Sequence, residues 1–252
     1  MTCEIPTWPV ARRGVKLMGR KWSVALEELT EMASRYPLSA LIGRAGMGKT
    51  QVLYALCERV KCIYIDATEL PDRSLSSLAA VVAWRLASEA SSAKSKIVDV
   101  YRRYGFQGLL SLAQGDPSWT LAAALDLVSD RIVVALDEWM PSFEDPSFFQ
   151  AASALHRIRN MSLSKASFVV AFLPEVFEKL AEKIPPLGNI LASVAVQLPD
   201  YLDEEDAEAI VSSYCPDRVK SALTWLRSKP DATVRDLLMA LTSAKALEIP
   251  IE

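Results

Sequence analysis

The spacing of apolar and polar positions changes character near residue 199. Before it, short apolar runs alternate with stretches of helical spacing. Leu38–Ile42 is an apolar run bounded by Pro37 and Gly43, and residues 62–65 form another, closed by Asp66. Residues 132–136, 168–172 and 193–198 supply three more. Continuous runs of this length suit strands buried on both faces of a parallel sheet. Between them, residues 23–34 place Val24, Leu26, Leu29, Met32 and Ala33 mostly on one helical face. Residues 50–60 do so with Val52, Leu53, Leu56 and Cys57. Residues 74–88, with Ser74 as cap, 148–161 and 175–183, stopped by Pro185-Pro186, also read as helices. The alternation predicts an α/β fold, a parallel five-stranded sheet flanked by helices.

After Pro199 only helical spacing remains. Residues 203–214, 218–227 and 233–247 carry apolar stripes through Ile210, Leu223 and Leu237 respectively, which predicts a small three-helix unit over 200–252. Residues 1–16, with Pro6, Pro9, Arg12 and Arg13, read as an extended arm. Residues 90–118 are mixed. Ile97, Val100, Tyr101 and Tyr104 keep helical spacing until Gly105, Gly115-Asp116-Pro117 reads as a loop, and 120–129 read as one more helix.

Composition narrows the class. Apolar residues make up 51% and charged ones 23%, with 9 Gly and 14 Pro, which excludes a disordered or collagen-like chain. A net charge of −3 argues against coating nucleic acid by bulk charge and leaves room for a local basic patch. No apolar run reaches membrane-span length and residues 1–10 hold no signal-type apolar core, so a cytoplasmic protein is expected. The four cysteines, Cys3, Cys57, Cys62 and Cys215, form no CxxC pair and are expected as reduced thiols, with Cys57 and Cys62 buried. His156 is the single histidine, which removes multi-histidine zinc sites and argues against a Ser–His–Asp hydrolase.

Gly43-Arg44-Ala45-Gly46-Met47-Gly48-Lys49-Thr50 fits GxxxxGK[ST] without a mismatch, between a predicted strand and a predicted helix. Its glycines let backbone N–H groups turn toward phosphate oxygens, Lys49 neutralises the β and γ oxygens, and Thr50 offers a hydroxyl to Mg²⁺. Gln51, next along the helix, is counted with this set. The apolar run 132–136 ends in Asp137-Glu138. Asp137 is placed to hold Mg²⁺, and Glu138 to polarise the water that attacks the γ-phosphate.

These motifs resemble those of the AAA+ ATPases. The branch they resemble holds replication-initiator, transposition-regulator and STAND-like archaeal ATPases. Leu17-Met18-Gly19-Arg20 resembles the box that contacts adenine there, which implies roles for Gly19 and Arg20. The segment Asp231–Leu238, written DATVRDLL, resembles the sensor-2 segment, which implies that Arg235 reaches the γ-phosphate; Arg218 is the alternative. The resemblance further implies a nucleotide-binding domain over 1–199, a helical lid over 200–252, sheet order 5-1-4-3-2, and ATP with Mg²⁺ as cofactors. Two family features are missing. The strand ending Ala171-Phe172-Leu173-Pro174 carries no sensor-1 Asn, Ser or Thr, which leaves Glu175 or Ser167 as substitutes. No arginine lies between Asn160 and Asp217, only Lys165, Lys179 and Lys183. An arginine finger is worth roughly 10³–10⁵ in rate, so slow turnover is expected unless Arg157, Arg159 or a partner's arginine completes the site.

The stretch from 67 to 131 is long for a plain connection. Tyr101-Arg102-Arg103-Tyr104-Gly105-Phe106 lies within it. Arg102 and Arg103 suit double-stranded DNA phosphates, as the resemblance to initiators implies; the other reading is an amphipathic helix with Tyr101 and Tyr104 in the core and the arginines solvated. A second basic group is Arg12, Arg13, Lys16, Arg20 and Lys21, expected at the rim of the nucleotide site. Few residues follow Leu247, so a winged-helix DNA domain is not expected and non-specific DNA or a protein partner fits better. Trp139 is open between the nucleotide and the core. Three functions remain: a DNA-linked ATPase that self-assembles, a nucleotide-gated switch acting on a protein partner, and a small-molecule P-loop kinase.

Overall fold

The computed structural model describes residues 11, 13–14, 16–90 and 94–243. The arm over 1–16 and the C-terminal end therefore fall largely outside the described residues. Five parallel strands form one sheet: β1 (Leu38–Ile42), β2 (Cys62–Asp66), β3 (Ile132–Asp137), β4 (Ala166–Phe172) and β5 (Ala195–Gln197). Their order is β2-β3-β4-β1-β5, the order that the resemblance implied. Leu38 stands opposite Phe168, Ile63 opposite Val134, and Asp66 opposite Asp137.

The period-2 alternation of strands divides the core. Ala40, Ile65, Val134, Leu136, Phe168 and Val170 face one side. There they pack under α3 (Leu75–Glu89), α4 (Lys96–Gly115), α5 (Pro117–Leu125), α6 (Phe148–Asn160), α7 (Pro174–Lys183) and α8 (Pro185–Ser193). Leu41, Val133, Ala135, Val169 and Val196 face the other side. That side is covered by α1 (Arg20–Arg35) and α2 (Lys49–Arg59). Three helices that follow β5 join the same cluster: α9 (Glu204–Tyr214), α10 (Val219–Arg227) and α11 (Val234–Thr242).

Several expectations are corrected. Pro185-Pro186 does not simply stop a helix. Proline lacks the N–H that the first helical turn leaves unpaired, so Pro185 starts α8. The fifth strand is correspondingly only three residues long. Tyr101 packs against the core, whereas Tyr104, just before the break at Gly105 (φ 59°, ψ −149°), is 67% exposed. Cys57 and Cys62 are bonded to one another, not free thiols. The turn from α2 into β2 brings their Cα atoms to 4.9 Å, within disulfide reach.

Candidate functional site

Parallel strands leave their C-terminal ends along one edge of the sheet, and in open α/β folds ligands bind there. The loop 43–48 leaves β1 at this edge and turns into α2. Gly46 and Gly48 take positive φ, 79° and 85°, which lets the loop curl ahead of the helix. The Gly43 N–H donates to the Phe172 carbonyl (3.1 Å), and Arg44 Nη1 to the Asp200 carbonyl (2.8 Å). The Lys49 ammonium donates inward to the carbonyls of Gly43 (2.8 Å) and Arg44 (3.2 Å). Burial holds its pKa below the ordinary lysine value. The carboxylates of Glu138, Asp137 and Glu175 oppose that, and Arg235 adds to it. Gln51, also in this set, is half-buried in the first turn of α2 and has interactions of its own.

Asp137, the last residue of β3, is 2% exposed. Its Oδ2 accepts from Thr50 Oγ1 at 2.6 Å and from the Tyr64 hydroxyl at 2.9 Å, and its Oδ1 from the Glu138 N–H at 3.1 Å. Burial pushes the Tyr64 pKa up, helped by the Asp137 charge, so the phenol stays a donor. Glu138 has φ 51° and is the one non-glycine residue with positive φ among the described residues. Such a conformation costs about 1–2 kcal/mol and clusters at functional sites. It leaves Glu138 exposed at the strand end while Trp139 turns back inward. Trp139 is fully buried, its indole donating to the Ala151 carbonyl at 3.2 Å, so it belongs to the core. Thr50 and Asp137 present hard oxygens. Among the described residues no cluster of three or more His, Cys, Asp or Glu could cage a metal alone. The two oxygens of Thr50 and Asp137 fit Mg²⁺, which binds through one or two protein oxygens plus phosphate and water.

Two segments distant in sequence close on the loop. The Arg235 N–H donates to the Gly46 carbonyl at 3.1 Å, and α11 starts here through the Thr233–Asp236 capping box. Arg218, the alternative, donates to the Leu241 carbonyl (2.7 Å) at the opposite end of α11. From the other side, Gly19 (φ 94°) begins α1. The Arg20 N–H donates to Asp206 Oδ1 at 2.6 Å, and the buried Trp22 indole to the Met47 carbonyl at 2.6 Å. A cleft of about 620 Å³ opens here, lined by Arg20, Lys21, Tyr201, Asp203 and Asp206 among others. Lys21 pairs with Asp203 at 2.6 Å. Burial, with Asp203 next, raises the Asp206 pKa, against the N–H groups of Arg20 and Lys21.

The remaining expectations separate. Ser167 lies at the start of β4 and donates to the Tyr36 carbonyl (2.7 Å), far from the loop, so it cannot serve as sensor 1. Glu175, at the start of α7, is on the correct side. Arg157 donates to Ser118 (3.2 Å) and Arg159 to Asn160 (3.2 Å), both at the C-terminal end of α6. That end leads into the start of β4, so neither arginine completes its own site. His156 is half-buried on α6. Arg102 and Arg103 are exposed on α4, and Arg12 lies outside the described residues. Trp22, Tyr64, Asp206 and Arg73 also border the site, outside every motif named above. The last faces Asp66, Asp145 and Glu138 and has a buried, unpartnered Nη1. No local sequence signal marks them, because tertiary packing brings each to the site.

Neither protein-family models nor curated proteins give a match to this sequence. Solved structures do. The Aeropyrum pernix ORC1 protein in complex with DNA superposes with TM-score 0.59 at 19% identity, over 90% of this chain and 59% of that one. A DNA replication initiation factor gives 0.52 at 16% identity, over 92% and 64%. The replication initiator DnaA bound to AMPPCP and single-stranded DNA gives 0.52 at 15%, over 91% and 63%. The chain thus spans about three fifths of the length of the structures it matches. Among the described residues no helix is long and apolar enough to cross a membrane. The likeness is one of fold: this chain shares with these replication initiators an α/β architecture, a parallel five-stranded sheet flanked by helices.

Proposed function

We propose that the chain binds ATP with Mg²⁺ and hydrolyses it slowly as part of a DNA-linked process. The observation that carries this is the 2.6 Å bond between Thr50 and Asp137, set beside Lys49 and Glu138. In this reading the N–H groups of 43–48 and Lys49 hold the phosphates. Thr50 and Asp137 hold Mg²⁺, which supplies charge neutralisation at the phosphate oxygens when bound. Glu138 orients and deprotonates the attacking water, and Arg235, on a helical lid over 200–252, meets the γ-phosphate. The cleft at Gly19 and Arg20 takes the base. Arg102 and Arg103 contact DNA phosphates, a reading supported by the DNA-bound state of the similar ORC1 structure.

The test is steady-state ATP hydrolysis with and without double-stranded DNA, beside Glu138→Gln. Turnover that rises with DNA and is lost in the variant is the expected result. A specific observation favours a second reading, a nucleotide-gated switch on a protein partner. Arg157 and Arg159 sit at the far end of the sheet, and the end of β4 carries no sensor-1 group. Tight ATP binding without turnover in either condition selects the switch.

A further inference from the structure

Asp137 is almost fully buried and carries two donors on one oxygen. A carboxylate that is to share a metal with phosphate must be held in one rotamer, ionised, with its remaining lone pairs directed outward. Thr50 cannot do this alone, because it is itself counted as a ligand. The second hydroxyl comes from Tyr64, on the neighbouring strand β2. Tyr64 lies opposite Ala135 in register, on the face that Asp137 shares two residues on. The tyrosine is in turn fixed from behind. Its ring centroid is 4.4 Å from that of Tyr54 on α2, and the Arg13 guanidinium lies 5.4 Å from the Tyr54 ring and 5.7 Å from the Tyr64 ring. Next to Arg13, the Gly14 N–H donates to Glu58 Oε1 on α2 at 2.6 Å. A continuous line of contacts therefore runs from a segment ahead of the first helix, across two rings in tilted contact (52° between their planes), to the carboxylate at the centre of the site.

We infer that Tyr64 is a positioning residue for Asp137, and that Arg13, by clamping the Tyr54–Tyr64 pair, makes the N-terminal segment part of the support of the Mg²⁺ site. The inference rests on the reading of Thr50 and Asp137 as the Mg²⁺-holding pair. Outer partners of this kind typically carry 10–100-fold in metal affinity, and a cation over aromatic rings carries less. Tyr64→Phe keeps the ring and removes only the hydroxyl. Arg13→Ala touches only an exposed side chain. The two changes thus act on the same carboxylate from different distances.

The experiment titrates Mg²⁺ into full-length chain mixed with a fluorescent non-hydrolysable ATP analogue, and separately measures analogue affinity in EDTA. Circular dichroism checks folding of each variant. The expected result is a Mg²⁺ midpoint raised roughly tenfold in Tyr64→Phe and about threefold in Arg13→Ala, with affinity in EDTA unchanged in both. A general structural defect would move both affinities together, and that outcome rejects a positioning role. A wild-type midpoint in Tyr64→Phe overturns the inference. A shift in Tyr64→Phe alone removes the N-terminal segment from it. Failure of the wild-type chain to bind the analogue, with or without Mg²⁺, strikes the nucleotide reading itself. Wild-type binding strengthened by Mg²⁺ with unaltered variants strikes only the tyrosine.

Discussion

The Gly46 carbonyl accepts the Arg235 N–H at 3.1 Å, joining residues 189 positions apart by number (235 − 46) across the mouth of the phosphate loop. The approach depends on glycine. A Cβ at Gly46 would lie 2.7 Å from Thr233 Oγ1 and 3.2 Å from Arg235 Cβ, and φ there is 79°. Gly46→Ala is therefore expected to cost about 1–3 kcal/mol of stability and to push α11 off the loop. Thermal melting and analogue titration read both effects. A variant melting as the wild type does, with unaltered affinity, counts against the contact.

Trp22 ties α1 to the same loop from the opposite side, its indole donating to the Met47 carbonyl at 2.6 Å in the interior. Trp22→Phe keeps most of the apolar volume and leaves that carbonyl unpaired. The expected loss is about 1–3 kcal/mol, with weaker nucleotide binding because the loop loses a brace. Chemical denaturation gives the first figure. Unchanged stability would mean that water or a neighbour takes over the bond.

Asp206 gives a pH dependence with a definite sign. Its carboxyl titrates above its ordinary value of 3.8 in the folded chain, first because of burial and then because of Asp203. In the window above 3.8 the folded state binds more protons than the unfolded one, so this group's contribution to stability falls as pH rises through its folded pKa. Asp206→Asn keeps an acceptor for the Arg20 N–H and lacks the titration. Its melting temperature is expected to gain on the wild type as pH rises through that window, then to run parallel. A gap that does not vary with pH refutes the assignment.

Arg102 and Arg103 are exposed ahead of the break at Gly105. If both hold DNA phosphates, replacing both with alanine makes the slope of log K against log salt shallower by about 1.8, at roughly 0.9 per phosphate contact. Binding to unrelated duplexes should weaken by the same factor. An unchanged slope places the DNA elsewhere or nowhere.

Much of this could be read from local pattern. Apolar runs predict the strands because strands of a sheet covered on both faces need no polar alternation. The loop Gly43–Thr50 is legible because the chemistry of wrapping phosphate sets the spacing of its glycines and lysine. Asp137-Glu138 is legible because it ends such a run. Helix α8 was misread because Pro185-Pro186 can either end one helix or begin another, and only packing of Leu187 and Leu191 into the core decides. The Cys57–Cys62 bond was missed because a turn geometry, and not the residue spacing, brings the two together.

Local pattern alone establishes the succession of the five strands and the content of the phosphate loop and acidic pair, since each is encoded within a few neighbouring positions. The tertiary structure alone decided which distant groups meet them. Tyr64 reaches Asp137 only through the β2–β3 register, and Asp206 reaches Arg20 only because the first turn of α9 meets the start of α1. Arg235, and not Arg218, arrives at Gly46 because it stands at the start of α11, while Arg218 caps the end. Such pairings follow from how whole elements pack. Their side chains carry no local signature, because any polar residue at those positions would leave the hydrophobic pattern unchanged.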